Sequence, residues 1–348
     1  MKKTIIILLV TLMLLATTFG CATKLPMETA VVDVTADSQV ATDVPSQDTT
    51  VPADACYTIG IVQIVEHAAL DAAREGFMKA LNDNGLVEGE NVTFDLQNAQ
   101  GDQSTLSTIG DRFVSEKVDL ICAIATPAAQ AMSGKTTEIP ILATAVTDYE
   151  VSKLVNSNAI PGGNVSGTSD MNPIADQIAL ILELYPDVQT IGCIYNSGED
   201  NSILQADLAK TEIEKFGKVY TEITVTSTND VQQAMQTLVT KCDAIYIPTD
   251  NTLASSMPIV GEVAGTAKIP TICGESGMVD AGGLATLSIN YFNLGYQTGM
   301  MALKVLVDGA DITTLPIEFA TGFDAAFNAE MAATINFTIP KKYAAAVR

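Results

Sequence analysis

The strongest constraint on the fold is that the chain repeats its own pattern in the same order. Ile59-Gly60 opens one half, and Ile191-Gly192 opens the other 132 residues later. The run DLICAIAT from Asp119 to Thr126 has a counterpart, DAIYIPT, from Asp243 to Thr249, at an offset of 123 to 124. Ile139-Pro140 is echoed by Ile269-Pro270, at an offset of 130. Within each half, short β-rich runs such as Thr58–Val65, Val118–Ala125 and Ala244–Pro248 alternate with helical stretches. Leu70, Ala73, Phe77 and Leu81 mark one apolar helical face, closed by Gly85. Leu294, Thr298, Met301, Val305 and Leu306 mark another, closed by Gly309. Strands alternating with helices of this length build βαβ units and parallel sheets. The expectation is an α/β protein of two doubly wound, Rossmann-like lobes joined by a crossover hinge, with a ligand cleft between them.

The segment Pro161-Gly-Gly-Asn-Val-Ser-Gly-Thr168 separates the halves, and its Gly and Pro content marks a bend. A first crossing is placed there, a second after Ile289 and a third within residues 312–323. On this reading lobe 1 is 56–165 with 290–311, and lobe 2 is 166–289 with 312–348.

The N-terminus carries an export signal. Lys2 and Lys3 precede a nearly continuous apolar run from Thr4 to Gly20, and polarity changes abruptly after Gly20-Cys21. A small residue directly before a cysteine at that point identifies a bacterial lipoprotein, lipidated on Cys21 and held outside the cytoplasm at the cell membrane. The competing reading, an uncleaved membrane anchor, needs a longer span. Residues 22–55 hold six acids, one Lys and no helical or strand period, the composition of a tether that cannot fold alone. The net charge of −23, from 18 basic against 41 acidic residues, excludes nucleic-acid binding. Six cysteines without CxxC spacing and a single histidine give no metal site, and no cofactor motif is present. Cys122, Cys193 and Cys273 lie in apolar runs and read as small buried hydrophobes.

Ligands of open α/β sheets bind outside the C-terminal strand ends. Here those ends carry Thr126, Ala128, Asp148 and Ser169 in the first half, and Tyr195, Asp250, Asn251 and Glu275 in the second. Thr126-Pro127 has the form of an N-cap followed by Pro at the first helical position, which leaves backbone N–H groups for an anion such as a carboxylate. Asp250, at the matching joint, suits an ammonium or simply caps a helix, and Asp148 and Glu275 compete for that role. Tyr195, Tyr291 and His67 offer rings for stacking. No P-loop, GxSxG, HExxH or GxGxxG motif is present, so an enzyme on this scaffold is disfavoured.

The stretches IGIVQIVEHAALDAAREGF, QNAQGDQSTLSTI, AIATPAAQAM, PGGNVSGTSDM, YIPTDNTLAS and IPTICGESGMV resemble the ABC transporter substrate-binding lipoproteins of the tryptophan/tyrosine-binding type, over roughly residues 57 to 310. The resemblance implies a type I periplasmic-binding-protein fold with three crossovers. It also implies capture of a small molecule, an aromatic amino acid first, for a membrane ABC permease. Thr126, Asp148, Ser169 and Asp250 fall within the shared motifs. Tyr149 stands where many relatives have Pro. A sensing or adhesive surface lipoprotein using the same fold is the alternative.

Overall fold

The computed structural model describes residues 56–348, so the signal segment 1–20, Cys21 and the tether 21–55 lie outside the described residues. The first sheet is formed by β1 (Tyr57–Gln63), β2 (Val92–Asn98), β3 (Leu120–Ile124), β4 (Ile141–Val146) and β5 (Val165–Ser169). The second is formed by β6 (Thr190–Asn196), β7 (Val219–Val225), β8 (Ala244–Ile247), β9 (Thr271–Cys273) and β10 (Ala285–Ser288). Two late strands complete them: β11 (Glu318–Phe319) pairs with β5, and β12 (Asp324–Phe327) pairs with β10. The orders are β11-β5-β4-β3-β1-β2 and β12-β10-β9-β8-β6-β7, all parallel except β12. Each is the 2-1-3-4-5 doubly wound arrangement with one added edge strand. The central strands β3 and β4 are buried along their whole length, as parallel strands covered on both faces must be.

The helices are α1 (Ala68–Asp83), α2 (Gln103–Glu116), α3 (Thr126–Ser133), α4 (Ile174–Leu184), α5 (Asp200–Lys215), α6 (Val231–Leu238), α7 (Asn251–Ser255), α8 (Met257–Ala267), α9 (Ser276–Asp280), α10 (Tyr291–Leu306) and α11 (Ala329–Thr334). α1 buries Leu70, Ala73, Phe77 and Leu81, the face its spacing predicts. Two separate apolar cores result, one around β1, β3, β4, α1 and α10, the other around β6, β8, β9 and α4.

The repeated Ile-Gly has a packing cause. A Cβ on Gly60 would lie 2.9 Å from ring carbons of Phe113, and one on Gly192 would lie 2.8 Å from Cys242 Sγ and 2.9 Å from Leu238 Cδ1. In both lobes the bare glycine lets a helix residue press onto the first strand. Cys122, Cys193, Cys242 and Cys273 are buried free thiols, and Cys56 is exposed.

The lobe bounds differ from the sequence reading in two places, while the third passage falls between β11 and β12, within 312–323. Residues 161–164 lead into β5, which is hydrogen-bonded to β4, so the chain leaves the first lobe after Ser169 and not at 161–168. Likewise β11, with Ile312 and Ile317 in the first core, draws residues 312–319 into the first lobe. The second passage follows β10, since α10 packs on α1 and β4.

Candidate functional site

Doubly wound sheets open a crevice where strand order reverses, here between β1 and β3 and between β6 and β8. The loops after these strands face one another and the cleft between them is closed. Gln205 Nε2 of α5 donates to Thr147 Oγ1 beyond β4 (3.0 Å). Gln130 Nε2 of α3 donates to Asp200 Oδ2 (2.8 Å). His67 Nε2 lies 3.3 Å from Asn251 Oδ1. Inside is a cavity of about 20 Å³, lined by His67, Thr147 and Asp170 on one side and Asn201, Asp250, Asn251 and Glu275 on the other, with Tyr291 between. That is room for about one water molecule, far below a small-molecule site, so a ligand is admitted only with the lobes further apart.

The cavity wall is acidic without a counter-charge. Asp170, Asp250 and Glu275 are all buried, and no Lys or Arg lines the space. Asp170 follows β5; its Oδ2 accepts from Tyr291 OH (2.8 Å) and its Oδ1 from Thr147 Oγ1 (3.1 Å). Burial raises its pKa. Asp250 caps α7, accepting the Leu253 N–H (2.8 Å) on Oδ1 and the Asn196 N–H (2.6 Å) on Oδ2. Burial, with the nearby Glu199 charge, pushes its carboxyl up to about 7. Glu275 caps α9 through the Gly277 and Met278 N–H groups, and burial pushes it up to about 7 as well. His67 is held neutral, its pKa pushed down to about 4 by burial. Among the described residues no group of His, Cys, Asp or Glu is arranged to hold a metal ion.

A pH dependence follows. Asp250 and Glu275 start from 3.8 and 4.5 and reach about 7 in the closed fold. A folded-state pKa raised in this way supplies stability that is complete at low pH and is lost as pH rises through 7. The ligand-free protein is therefore expected to melt at progressively lower temperature from pH 5 to pH 8, and Glu275→Gln should flatten the trend. A melting temperature that is constant or rises over that range would refute the assignment.

Of the residues singled out from sequence, His67, Asp250, Asn251, Glu275 and Tyr291 meet at the cavity. Thr126 does not cap α3: Ala125 holds the cap position at φ +84°, and Thr126 Oγ1 is buried without a hydrogen-bond partner. Ala128 packs in the first core. The Asp148 carboxylate turns onto the Glu150 and Val151 N–H groups. Ser169 Oγ donates to Thr147 O within the sheet edge, and Tyr195 OH donates to Glu222 on β7. Asp148, Ser169, Tyr195 and Ala128 thus point their chemistry elsewhere. Sequence reading passed over Asn201, and it set Thr147 and Asp170 at the strand ends without choosing them as ligand contacts. The available signal was a polar interruption on the buried face of α5, where Asn201, Ser202 and Gln205 stand at positions otherwise apolar.

The family whose model is described as ABC transporter substrate binding protein matches residues 58–347. The chain belongs to that family. This substrate-binding protein is 46% identical over 259 residues to a tyrosine-binding protein of Clostridioides difficile, covering 74% of this chain and 75% of that one. It superposes with a TM-score of 0.81 on an ABC domain in complex with L-Trp from Streptococcus pneumonia, at 36% identity, over 84% of this chain and 100% of that one. Against a ligand-free, open substrate binding protein with adhesive properties from Clostridium difficile the identity is higher, 44%, over 84% and 99% of the two chains, yet the TM-score is 0.65. The bonds across the cleft describe a closed form, in keeping with the lower TM-score against the open structure. The two-lobed fold is that of type I periplasmic binding proteins. Among the described residues no helix is long and apolar enough to cross a membrane.

Proposed function

We propose that this substrate-binding protein captures an amino acid with an aromatic side chain and presents it to a membrane ABC permease, with no reaction of its own. The observation that carries the reading is the closed cavity holding three buried carboxylates and no basic residue. A buried carboxylate without a partner is costly, and a ligand ammonium supplies the missing charge. The ligand carboxylate is assigned to the start of α3, where Thr126 Oγ1 lacks a partner and first-turn N–H groups have no acceptor within the helix. Pro127 of that turn lines a wider groove that shares Asn251 with the cavity. The aromatic preference rests on relatives described as binding tyrosine and L-Trp.

The test is a thermal-shift screen of the twenty amino acids with sugars and nucleosides. A true ligand at a hundredfold excess over its dissociation constant adds about 2.7 kcal/mol to stability. Tyrosine or tryptophan should give the largest shift; a shift from a sugar or a nucleoside alone would overturn the reading.

We further propose that the protein works outside the cytoplasm, tethered by lipid on Cys21 after removal of the apolar leader. Cys21→Ser should release it from the membrane fraction. If the variant sediments with membranes as the wild type does, the leader is a retained anchor.

A further inference from the structure

The chain holds one histidine, and the structure fixes which of its nitrogens bears the proton. Asn251 Nδ2 and the Asn251 backbone N–H both point to Glu199 Oε2, while Thr252 N–H and Oγ1 occupy Glu199 Oε1. A carboxylate that takes these donors sets the orientation of the Asn251 amide. Its nitrogen faces Glu199, so its oxygen, Oδ1, faces His67 Nε2 at 3.3 Å. An amide oxygen only accepts; the proton is therefore on Nε2, and Nδ1 of the neutral ring is a bare acceptor. Nδ1 is buried with no hydrogen-bond partner, on a residue that lines the cavity. Asn201 Oδ1 is in the same condition, because its Nδ2 is spent on Thr249 O (2.9 Å) and the Glu199 carboxylate.

An unpaired buried acceptor asks for a donor. The ligand ammonium is not its natural partner, because Asp170, Asp250 and Glu275 surround the same space and carboxylates compete for a cation better than a neutral imidazole does. We infer that His67 Nδ1 is the specificity determinant of the cleft, accepting a hydrogen bond from a donor on the ligand's aromatic side chain, a phenol O–H or an indole N–H. This inference rests on the amino-acid reading above and sharpens it: phenylalanine, which fills similar space but carries no side-chain donor, is discriminated against. A site built to bond a donor leaves its acceptor stranded when the donor is missing, whereas a purely apolar pocket discriminates weakly.

The experiment uses the folded full-length chain labelled with ¹⁵N-histidine, which gives one pair of ring resonances. Addition of L-tyrosine or L-tryptophan should move the Nδ1 resonance in the direction of a hydrogen-bonded acceptor, and L-phenylalanine should not; which of the first two does so tells phenol from indole. Calorimetric titration should give the donor-bearing amino acid a preference over phenylalanine of more than about tenfold, and His67→Phe should reduce that preference to near unity. An Nδ1 shift of equal size with phenylalanine would assign the donor to the ammonium and overturn the inference, as would an undiminished preference in His67→Phe. Tight binding of phenylalanine by the wild type would overturn it and leave the amino-acid reading standing. Failure of all three amino acids to bind would bring down both.

Discussion

Asp170→Asn is expected to weaken ligand binding by about thirtyfold to several thousandfold, the equivalent of roughly 2–5 kcal/mol for removing one partner of a buried charge pair. The variant should still fold. Asn keeps the shape of Asp170, its oxygen can accept from Tyr291 OH in the place of Asp170 Oδ2, and its amide nitrogen can face Thr147 Oγ1 where the carboxylate Oδ1 accepts. Asp250→Asn is expected to behave differently. Both oxygens of Asp250 hold backbone N–H groups, those of Leu253 and Asn196, and an amide nitrogen in place of Oδ2 would confront the Asn196 N–H donor to donor. Its cost is therefore expected in stability, about 1–3 kcal/mol for a stranded buried group, as well as in affinity. Paired titrations and denaturant melts of the two variants separate the roles. If Asp170→Asn binds like the wild type while Glu275→Gln does not, the ammonium belongs to Glu275.

Gly295→Ala is expected to destabilise the protein by about 2–3 kcal/mol despite placing a better helix former in the middle of α10, an exchange worth about 1 kcal/mol in the other direction. A Cβ on Gly295 would lie 1.9 Å from Ala73 O, and one on Gly76 would lie 2.0 Å from Phe292 O. The obstructing atoms are backbone of the opposing helix, so no rotamer change relieves them and α1 and α10 must separate. The separation would open the core beneath Phe77 and Leu294, both fully buried. A chemical-denaturation midpoint equal to or above that of the wild type would show that the two helices part freely and that the close approach has no energetic role.

The two lobes were legible because their central strands announce themselves. DLICAIAT and DAIYIPT are continuous apolar runs, and the glycine beside each Ile59 or Ile191 marks where a helix side chain closes onto the sheet. The boundary of the first lobe was not legible, for a physical reason. β5 reads VSGTS, with no apolar period, yet it is buried throughout because its hydroxyls are satisfied: Ser166 by Leu315 O, and Thr168 by Thr144 and Thr298. β11 is two residues long, below what any periodicity can register. At the site, Asp250 and Glu275 were found because an acid two or three residues beyond a buried strand is placed by the strand and by the helix it caps. Asp170 was missed in favour of Ser169 because the choice depends on where β5 stops, which only the pairing with β4 decides. Asn201 sits in the first turn of α5 and reaches the cavity only because the two lobes are brought face to face, a relation no local pattern encodes.

All three passages of the chain between lobes run along one edge. β5 and β11 are neighbours at the border of the first sheet, as β10 and β12 are at the border of the second. Asp170, at the first passage, is clasped by Tyr291, at the second. Three parallel straps fixed side by side act as a piano hinge: they allow rotation about the line they define and resist both sliding and twisting. The motion left to the lobes is a single angle. A membrane partner that touches both lobes would then need to sense only how far apart two fixed patches stand, and would receive the same signal whichever ligand had closed the cleft.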